Sequence, residues 1–284
     1  MPTVHVATVH WRSDRWIPIQ RRYLDRNVGS YRLYGFLNDV PGDHRDDFFY
    51  ASTEPIKDHA TKLNLLCDVI RYAADDPSDL LLVLDGDAFP VVPLAPLLEE
   101  RLERHRLIAV QRKENNGDIQ PHPCFCVTTV GLWSEIGGDW HEGYKWAGPG
   151  GKPQTDVGAN LLPALERAGV DWYPLLRRNT VNPHPLFFGV CGDERHGPLV
   201  YHHGGGFRAG AGRVARELHG ERALKANRLS RVLKQLPLRG PLRRLHKRDP
   251  VKQLRRQLKA ETKELSEEMF ERIEHDEEFW RELL

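Results

Sequence analysis

The sequence predicts an α/β protein in which a mixed, mostly parallel sheet is flanked by helices and followed by a C-terminal helical extension. Strand-like and helix-like segments alternate at short spacing, which is typical of a doubly wound sheet. The run Leu80 to Leu84 consists of five apolar residues, as in a strand buried on both faces. Beyond residue 208 the pattern becomes helical and strongly charged. We therefore predict one domain at 1–208 and a helical extension at 209–284.

The individual elements follow from local periodicity and from turn residues. The helix at 59–74 is indicated by Leu63, Leu66, Cys67 and Ile70, which recur at three-four spacing. Alternating or continuous apolar runs predict strands, and Gly, Pro and Asp mark their ends. The predicted strands are 3–9, 31–37, 80–84, 107–110, 124–130 and 170–176. The predicted helices lie around 19–24, at 59–74, at 94–105, from Thr155-Asp156 to Gly169, and at 251–273.

The strand at 80–84 ends in Asp85-Gly86-Asp87, the only Asp-x-Asp (DXD) in the chain. In open α/β sheets, ligands gather beyond the carboxyl ends of the strands. Two carboxylates on either side of a glycine suit a hard cation such as Mg²⁺ or Mn²⁺, which would hold phosphates at the same place. An ordinary strand-to-turn exit is the alternative, because Asp and Gly are common turn residues.

A loop rich in Gly and Trp, residues 137–155, precedes the helix predicted at Asp156. Its aromatic side chains have flat apolar faces that suit sugar rings. A surface loop fastened by its own aromatic residues is the alternative. The candidate sugar-contacting residues are Trp140, Tyr144 and Trp146.

Composition and charge limit the class of protein. No basic segment followed by an apolar core opens the sequence, and four cysteines fit a reducing compartment, so we expect a cytoplasmic protein. Residues 208–263 hold 18 Lys or Arg against 4 acids, whereas 264–284 hold 2 against 9. This dipolar tail predicts peripheral contact with a membrane or self-association, and no nucleic-acid partner is expected.

Taken together, these motifs resemble the metal-dependent GT-A glycosyltransferases, over about residues 3–208. The resemblance implies a GT-A-like, Rossmann-like fold and transfer of a sugar, as by a hexosyltransferase, from a nucleotide-diphosphate donor to a saccharide or other hydroxyl acceptor. Asp85 and Asp87 would hold Mn²⁺ or Mg²⁺. His202-His203-Gly204-Gly205-Gly206-Phe207-Arg208 is similar to a His-x-x-Gly-x-x-Lys element, with Arg in place of Lys.

Further roles are implied by the same resemblance. His202 would complete the metal shell, with His203 and His59 as reserve candidates, and Arg208 would hold phosphate. Six residues would face the donor or its nucleotide: Thr8, His10, Asn38, Asp39, Lys62 and Arg208.

Asp156 resembles the base that inverting members of this family place at the start of a helix, after a Gly-rich loop. A base there would take the proton of the acceptor hydroxyl. An ordinary helix cap is the alternative. The His202 to Arg208 element is familiar from retaining members, so the two matches imply different stereochemical courses.

Three other functions compete with sugar transfer. A phosphatase of the haloacid-dehalogenase type also ends a strand with Asp-x-Asp and uses the first Asp as nucleophile. A metal-dependent nucleotidyltransferase is a second rival, although it would want a Gly-rich loop with Arg and Lys after the first strand. A non-enzymatic protein that binds polyanions through the basic tail is the third.

Overall fold

The structure is a computed structural model that describes residues 2–115, 117–148, 151–204, 214–235 and 249–284. The strands are β1 Val4–Trp11, β2 Tyr31–Asn38, β3 Tyr50–Ser52, β4 Leu80–Asp85, β5 Ala88–Pro90, β6 Leu107–Val110, β7 His122–Thr129, β8 Trp146–Ala147, β9 Pro153–Gln154, β10 Trp172–Arg177, β11 Gly189–Asp193 and β12 Gly197–His202. The helices are α1 Trp16–Asn27, α2 His59–Ala73, α3 Ala95–Arg101, α4 Val130–Ile136, α5 Leu161–Arg167, α6 Arg216–Gln235 and α7 Pro250–His275. Two short 3₁₀ helices lie at Arg45–Asp47 and Phe279–Leu283.

Ten strands form one sheet in the order β3-β2-β1-β4-β7-β6-β10-β11-β12-β5. The pairs β3–β2, β2–β1, β1–β4 and β6–β10 are parallel, and β7 runs antiparallel between β4 and β6. From β10 to β5 the sheet continues as an antiparallel ribbon. The predicted mixed sheet flanked by helices, with a helical extension, is thus confirmed.

Both faces of the sheet are covered, because β4 alternates its apolar side chains between two cores. Leu81 and Val83 pack in the core formed with α2, α4 and α5. Leu82 and Leu84 pack in the core formed with α1 and α3. All four side chains are at most 1% exposed. The burial of β4 on both faces explains its five-residue apolar run. Packing from both sides also fixes the position of its carboxyl end, where Asp85 lies.

Several elements differ from the sequence prediction. The helix expected from Asp156 begins at Leu161, because Gly158 has φ +92°, outside the right-handed helical region. Four further elements, β3, β5, β11 and α4, lie in segments where local periodicity is short or interrupted. The first helix of the tail, α6, is not among the predicted helices, and its backbone is interrupted at Gly220, which has φ +50°.

The chain forms two compact units. The first comprises Met1–Asn182, Leu186–Gly204 and Asp276–Leu284, and the second Pro183–Pro185 and Gly205–His275. In the first unit, the carbonyl of Leu283 accepts from the amide of Thr180 at 3.0 Å. In the second unit, α6 and α7 pack through Ala226, Leu254 and Leu258. The predicted boundary at 208/209 falls in 205–213, outside the described residues, and stays a prediction.

Candidate active site

Three candidate metal ligands converge at the carboxyl end of β4. One ligand atom each from Asp85, Asp87 and His202 lies within 4.8 Å of the other two. The Nε2 atom of His202 is 3.4 Å from Oδ2 of Asp85 and 3.5 Å from Oδ1 of Asp87. The three side chains are 18%, 6% and 12% exposed, respectively. Two carboxylates and an imidazole, partly open to solvent, form a donor set that can take a divalent cation.

Strand pairing brings the histidine to the carboxylates across 114 residues of sequence. After the Asp85-Gly86-Asp87 turn the chain enters β5, which pairs with β12 so that Ala88 lies opposite His202. The amide of His203 also donates to the carbonyl of Asp87 at 3.0 Å. The turn and the end of β12 are therefore held in one antiparallel register, which places His202 beside both acids.

The turn that carries the two acids is held from beneath by α1. Nε2 of Gln20, a residue with 1% exposure, donates to the carbonyls of Asp85 at 2.9 Å and Ala88 at 2.8 Å. A Cβ atom built on Gly86 would lie 2.5 Å from the carbonyl oxygen of Val9. Glycine is required at this position because the neighbouring strand leaves no space for a side chain.

His59, the first residue of α2, also contacts Asp85. Its Nε2 atom is 3.2 Å from Oδ1 of Asp85, and the helix start is fixed by Asp58, whose side chain accepts from the amide of Thr61 at 2.7 Å. Burial raises the pKa of Asp85, but the His59 hydrogen bond and the charges of His59 and His202 outweigh it, so the pKa is lowered. Asp85 is therefore ionised at neutral pH, as a metal ligand must be.

His122 lies behind the candidate metal centre. Its ring is 6.1 Å from that of His202 between centroids, and its Nδ1 atom accepts from the amide of Cys124 at 3.0 Å. Burial, followed by the charges of Arg112 and His202, lowers its pKa well below the ordinary value. The ring is thus neutral, and because Nδ1 accepts, Nε2 carries the hydrogen.

Asp156 belongs to a cluster of charged and polar side chains that follows β6. Nη2 of Arg112 is 3.1 Å from Oδ2 of Asp156 and 3.6 Å from Oδ2 of Asp118. Asn115 donates to Asp118 at 2.8 Å and to Asp156 at 3.4 Å. Burial raises the pKa of Asp118 to about 6. Asp156 is therefore not the N-terminal cap of a helix. The helix α5 begins five residues later, at Leu161, and the carboxylate of Asp156 is bound by Arg112.

The candidate nucleotide contacts lie on opposite faces of the sheet. Thr8 and His10 are fully buried on the face of α1, as shown by their neighbours Val6 and Leu84 in that core. Burial lowers the pKa of His10 to about 4. A direct contact between these two side chains and a donor is therefore not available in this structure.

Lys62 of α2 lies on the other face of the sheet. Asn38 lies there too, since it alternates with Tyr34 and Phe36 of the α2 core, and Asp39 is near enough to Lys62 to affect its pKa. Asn38 donates to the carbonyl of Glu54, and Asp39 is an exposed residue with φ +55°. Lys62 is only 4% exposed, and within the described ranges no carboxylate lies within 4.0 Å of its ammonium group. Burial lowers the pKa of Lys62, and Asp58 and Asp39 offset this only in part. A buried cation without a direct counter-charge is costly, and an anionic ligand would stabilise it.

The aromatic loop is packed against the protein. Trp140 is 0% exposed and stacks on Trp133 with centroids 5.4 Å apart, and Trp146 is 8% exposed in β8. These burials contradict the expectation that both rings face a sugar, because the rings belong to the protein's own packing. Tyr144, at 42% exposure, is the member of the trio that faces solvent.

A carboxylate, Asp139, fastens this loop to α2. It accepts from Asn64 at 2.7 Å, from Asn160 at 2.7 Å and from the amide of His141 at 3.0 Å. Burial alone would raise the pKa of Asp139, but these hydrogen bonds outweigh burial and lower the pKa to about 2. The Gly-rich sequence thus supplies turns in a hydrogen-bonded segment attached to the helix that carries His59.

The ring of His203, the reserve candidate of the His202 to Arg208 element, lies apart from the two acids. His203 is fully buried between Trp16 and Phe188, with ring centroids at 4.6 and 4.9 Å, and Tyr201 Oη lies 3.0 Å from its Nδ1. Burial lowers its pKa to about 3. The structure therefore brings His202 to the acids and keeps His203 in the aromatic packing. Arg208 lies outside the described residues.

Gln20, Arg112 and Asp118 are parts of this region that the sequence did not single out. Arg112 had one available indication, since it follows the end of a predicted strand by two residues, where ligands gather. The remaining residues contact parts of the chain that are distant in sequence, so no local sequence pattern identifies them.

Comparisons with models of known protein families and with curated protein sequences found no match. Among solved structures, the chain is similar to S. aureus TarS, with 10% identity over 49% of this chain and 30% of TarS, at a TM-score of 0.35. It is similar to the glycosyltransferase GlyE of Streptococcus pneumoniae, with 12% identity over 62% of this chain and 45% of GlyE, at a TM-score of 0.37. It is also similar to a candidate glucose-1-phosphate thymidylyltransferase from Bacillus anthracis, with 12% identity over 62% of this chain and 87% of that protein, at a TM-score of 0.39. The chain thus spans less than half the length of TarS and GlyE.

Proposed function

We propose that this protein is a metal-dependent glycosyltransferase that moves a hexose from a nucleotide-diphosphate sugar to a saccharide or other hydroxyl acceptor. The observation that carries the proposal is the convergence of Asp85, Asp87 and His202 at the carboxyl end of a buried strand. Ligands of open α/β sheets bind at this edge.

The donor set fits a divalent cation. Carboxylate oxygens suit Mg²⁺ and Mn²⁺, and the imidazole of His202 favours Mn²⁺ of the two. A bound cation would supply Lewis-acid stabilisation of the diphosphate leaving group. Asp85 contributes a charged ligand because its pKa is lowered. His59, at 3.2 Å from Asp85, orients that carboxylate from outside the proposed ligand set.

Lys62 is the proposed contact with donor phosphate in the described part of the chain. Among the described residues, no carboxylate lies within 4.0 Å of its ammonium group. Asn38 and Asp39 would contact the nucleotide or its ribose. Arg208 keeps the phosphate-binding role that the sequence predicts. The exposed ring of Tyr144 is the remaining candidate for acceptor contact on the aromatic loop.

Asp156 is the proposed base of an inverting reaction. Its carboxylate would accept the proton of the acceptor hydroxyl as the oxygen forms its bond to C1 of the sugar and the bond from C1 to the diphosphate breaks. Nη2 of Arg112 donates to Oδ2 of Asp156 at 3.1 Å and so orients the carboxylate. If the reaction instead retains configuration, Asp156 is an acceptor-binding residue, and NMR of the product anomer distinguishes the two courses.

A thermal-shift panel tests the donor. UDP, GDP, CMP and dTDP sugars are compared with and without Mn²⁺, for the wild type and for Asp87→Asn. We expect one nucleotide family to stabilise the wild type only with metal, and the variant to lose this effect. Asp68→Asn, at an exposed acid on α2, is the matched control and should behave as wild type. Phosphate release from a phosphomonoester without sugar transfer would favour a phosphatase, and pyrophosphate release from a nucleotide triphosphate a nucleotidyltransferase.

A further inference from the structure

The second unit presents two large aliphatic side chains to solvent. Leu229 and Val232 of α6 are 57% and 58% exposed, and their three-residue spacing puts them on one helix face. The packed face of the same helix carries Ala226, which contacts Leu254 and Leu258 of α7. The exposed pair is therefore not needed to hold the two helices together.

Basic residues surround this aliphatic pair. Lys225, Arg228, Arg231 and Lys234 of α6 are all exposed. Over residues 222–260 the sequence holds 14 Lys or Arg and a single acid, Asp249, a net charge of +13. So large a charge of one sign in 39 residues attracts a polyanionic partner.

The first half of α7 carries basic side chains on its exposed positions too. Four of them face solvent: Lys252, Arg255, Arg256 and Lys259. The acids of this helix are concentrated after them, beginning at Glu261, which pairs with Arg222 at 2.9 Å. The positive charge is thus grouped in the end of the helix pair that also holds Leu229 and Val232.

We propose that this face of α6 and α7 binds the surface of a membrane that contains anionic lipid. The basic side chains would lie at the headgroup phosphates, and Leu229 and Val232 would enter the boundary with the acyl chains. An aliphatic pair within a basic face distinguishes this partner from nucleic acid. Single strands are bound by aromatic stacking as well as charge, and residues 208–269 contain no Phe, Trp or Tyr.

Sedimentation of the full chain with vesicles tests the proposal, and it needs neither donor nor acceptor. We expect binding to vesicles of phosphatidylglycerol and phosphatidylcholine, weakening with salt, and none to phosphatidylcholine alone. The double variant Leu229→Gln/Val232→Gln should bind about tenfold more weakly, because it loses two aliphatic insertions. Arg228→Gln/Arg231→Gln should lose about 30-fold, at about fivefold for each charge near an anionic surface.

The matched control is Val181→Gln, an exposed aliphatic position of the first unit with 52% exposure, which should bind as wild type. All substituted side chains face solvent, so circular dichroism and melting of the variants should match the wild type. The proposal is overturned if the wild type ignores anionic vesicles, or if the aliphatic double variant binds them with wild-type affinity. It is also overturned if an RNA or DNA oligonucleotide is bound in preference to the vesicles. None of these results depends on sugar transfer, so they leave the proposed activity to its own test.

Discussion

Replacing Gly86 by alanine is expected to disturb the candidate metal centre without removing any of its ligands. Gly86 lies between Asp85 and Asp87, and its backbone does not adopt a positive φ, so an alanine here meets only a steric obstacle. The new Cβ would lie 2.5 Å from the carbonyl oxygen of Val9 and 2.8 Å from Nδ1 of His10. Neither neighbour can move freely, because both belong to β1 in the middle of the sheet.

The size of the effect follows from this overlap. A carbon next to a carbonyl oxygen normally stays about 3.3 Å away or more, so the turn must shift by about 0.8 Å. Overpacking of this kind costs about 1–3 kcal/mol, which lowers the melting temperature by about 2–5 °C for a chain of this size. The same shift moves the two carboxylates relative to His202. We expect Mn²⁺ affinity to fall about 10–100-fold, as when the support of a metal ligand is lost.

Electron paramagnetic resonance of free Mn²⁺ measures the affinity, and calorimetry measures the melting temperature. Gly189→Ala is the matched control in the same sheet, since its Cβ would meet only Sγ of Cys191 at 3.9 Å and the carbonyl of His202 at 4.0 Å. This control should bind Mn²⁺ and melt as wild type does. If Gly86→Ala matches the control in both measurements, the turn does not position the ligands and the reasoning is refuted.

Three further substitutions probe the surroundings of the site. Lys62→Met should raise the free energy of unfolding by about 1–3 kcal/mol at pH 7, measured with urea, because it removes a buried charge that has no direct counter-charge among the described residues. It should also weaken nucleotide-diphosphate binding about tenfold. A variant less stable than the wild type would contradict the first expectation. Because burial lowers the folded-state pKa of Lys62, wild-type stability should rise with pH as the pH approaches 10.5, and the variant should lack this rise. Because the pKa of Asp118 is raised to about 6, the free energy of unfolding should fall by up to about 3 kcal/mol as the pH rises from 4 to above 6. Asp118→Asn should abolish this pH dependence. Parallel stability profiles of the wild type and the variant would refute the prediction. Asp156→Asn should keep donor binding in calorimetry while turnover falls about 100-fold or more, and an unchanged rate would exclude Asp156 as the base.

The sheet was predictable from the sequence because its central strands carry strong local patterns. The apolar run before Asp85 and the three-four spacing of α2 each specify one element whose burial the structure confirms. The antiparallel ribbon was not predictable in the same way. Gly189–Asp193 has little apolar character and becomes a strand by pairing with neighbours on both sides. Such pairing depends on contacts distant in sequence, which local propensity does not encode.

The candidate site was predictable to a similar degree. Asp85 and Asp87 follow the end of a predicted strand, so a rule about strand ends finds both. His202 is indicated instead by the likeness of residues 202–208 to a His-x-x-Gly-x-x-Lys element. The same rule fails for Thr8 and His10, because alternation along β1 turns their side chains into the core. Composition also misled for Trp140, since a Gly-rich segment can fold inward when a partly buried carboxylate such as Asp139 accepts its hydrogen bonds.

The central claim is that Asp85, Asp87 and His202 hold a cation that carries the diphosphate of an activated sugar. Crystals soaked with Mn²⁺ and the nucleotide identified by thermal shift provide the most direct test, through anomalous diffraction at the manganese absorption edge. We expect one anomalous peak in contact with all three side chains and with the nucleotide diphosphate. A nucleotide bound elsewhere, or a peak absent from these three residues at saturating Mn²⁺, would contradict it.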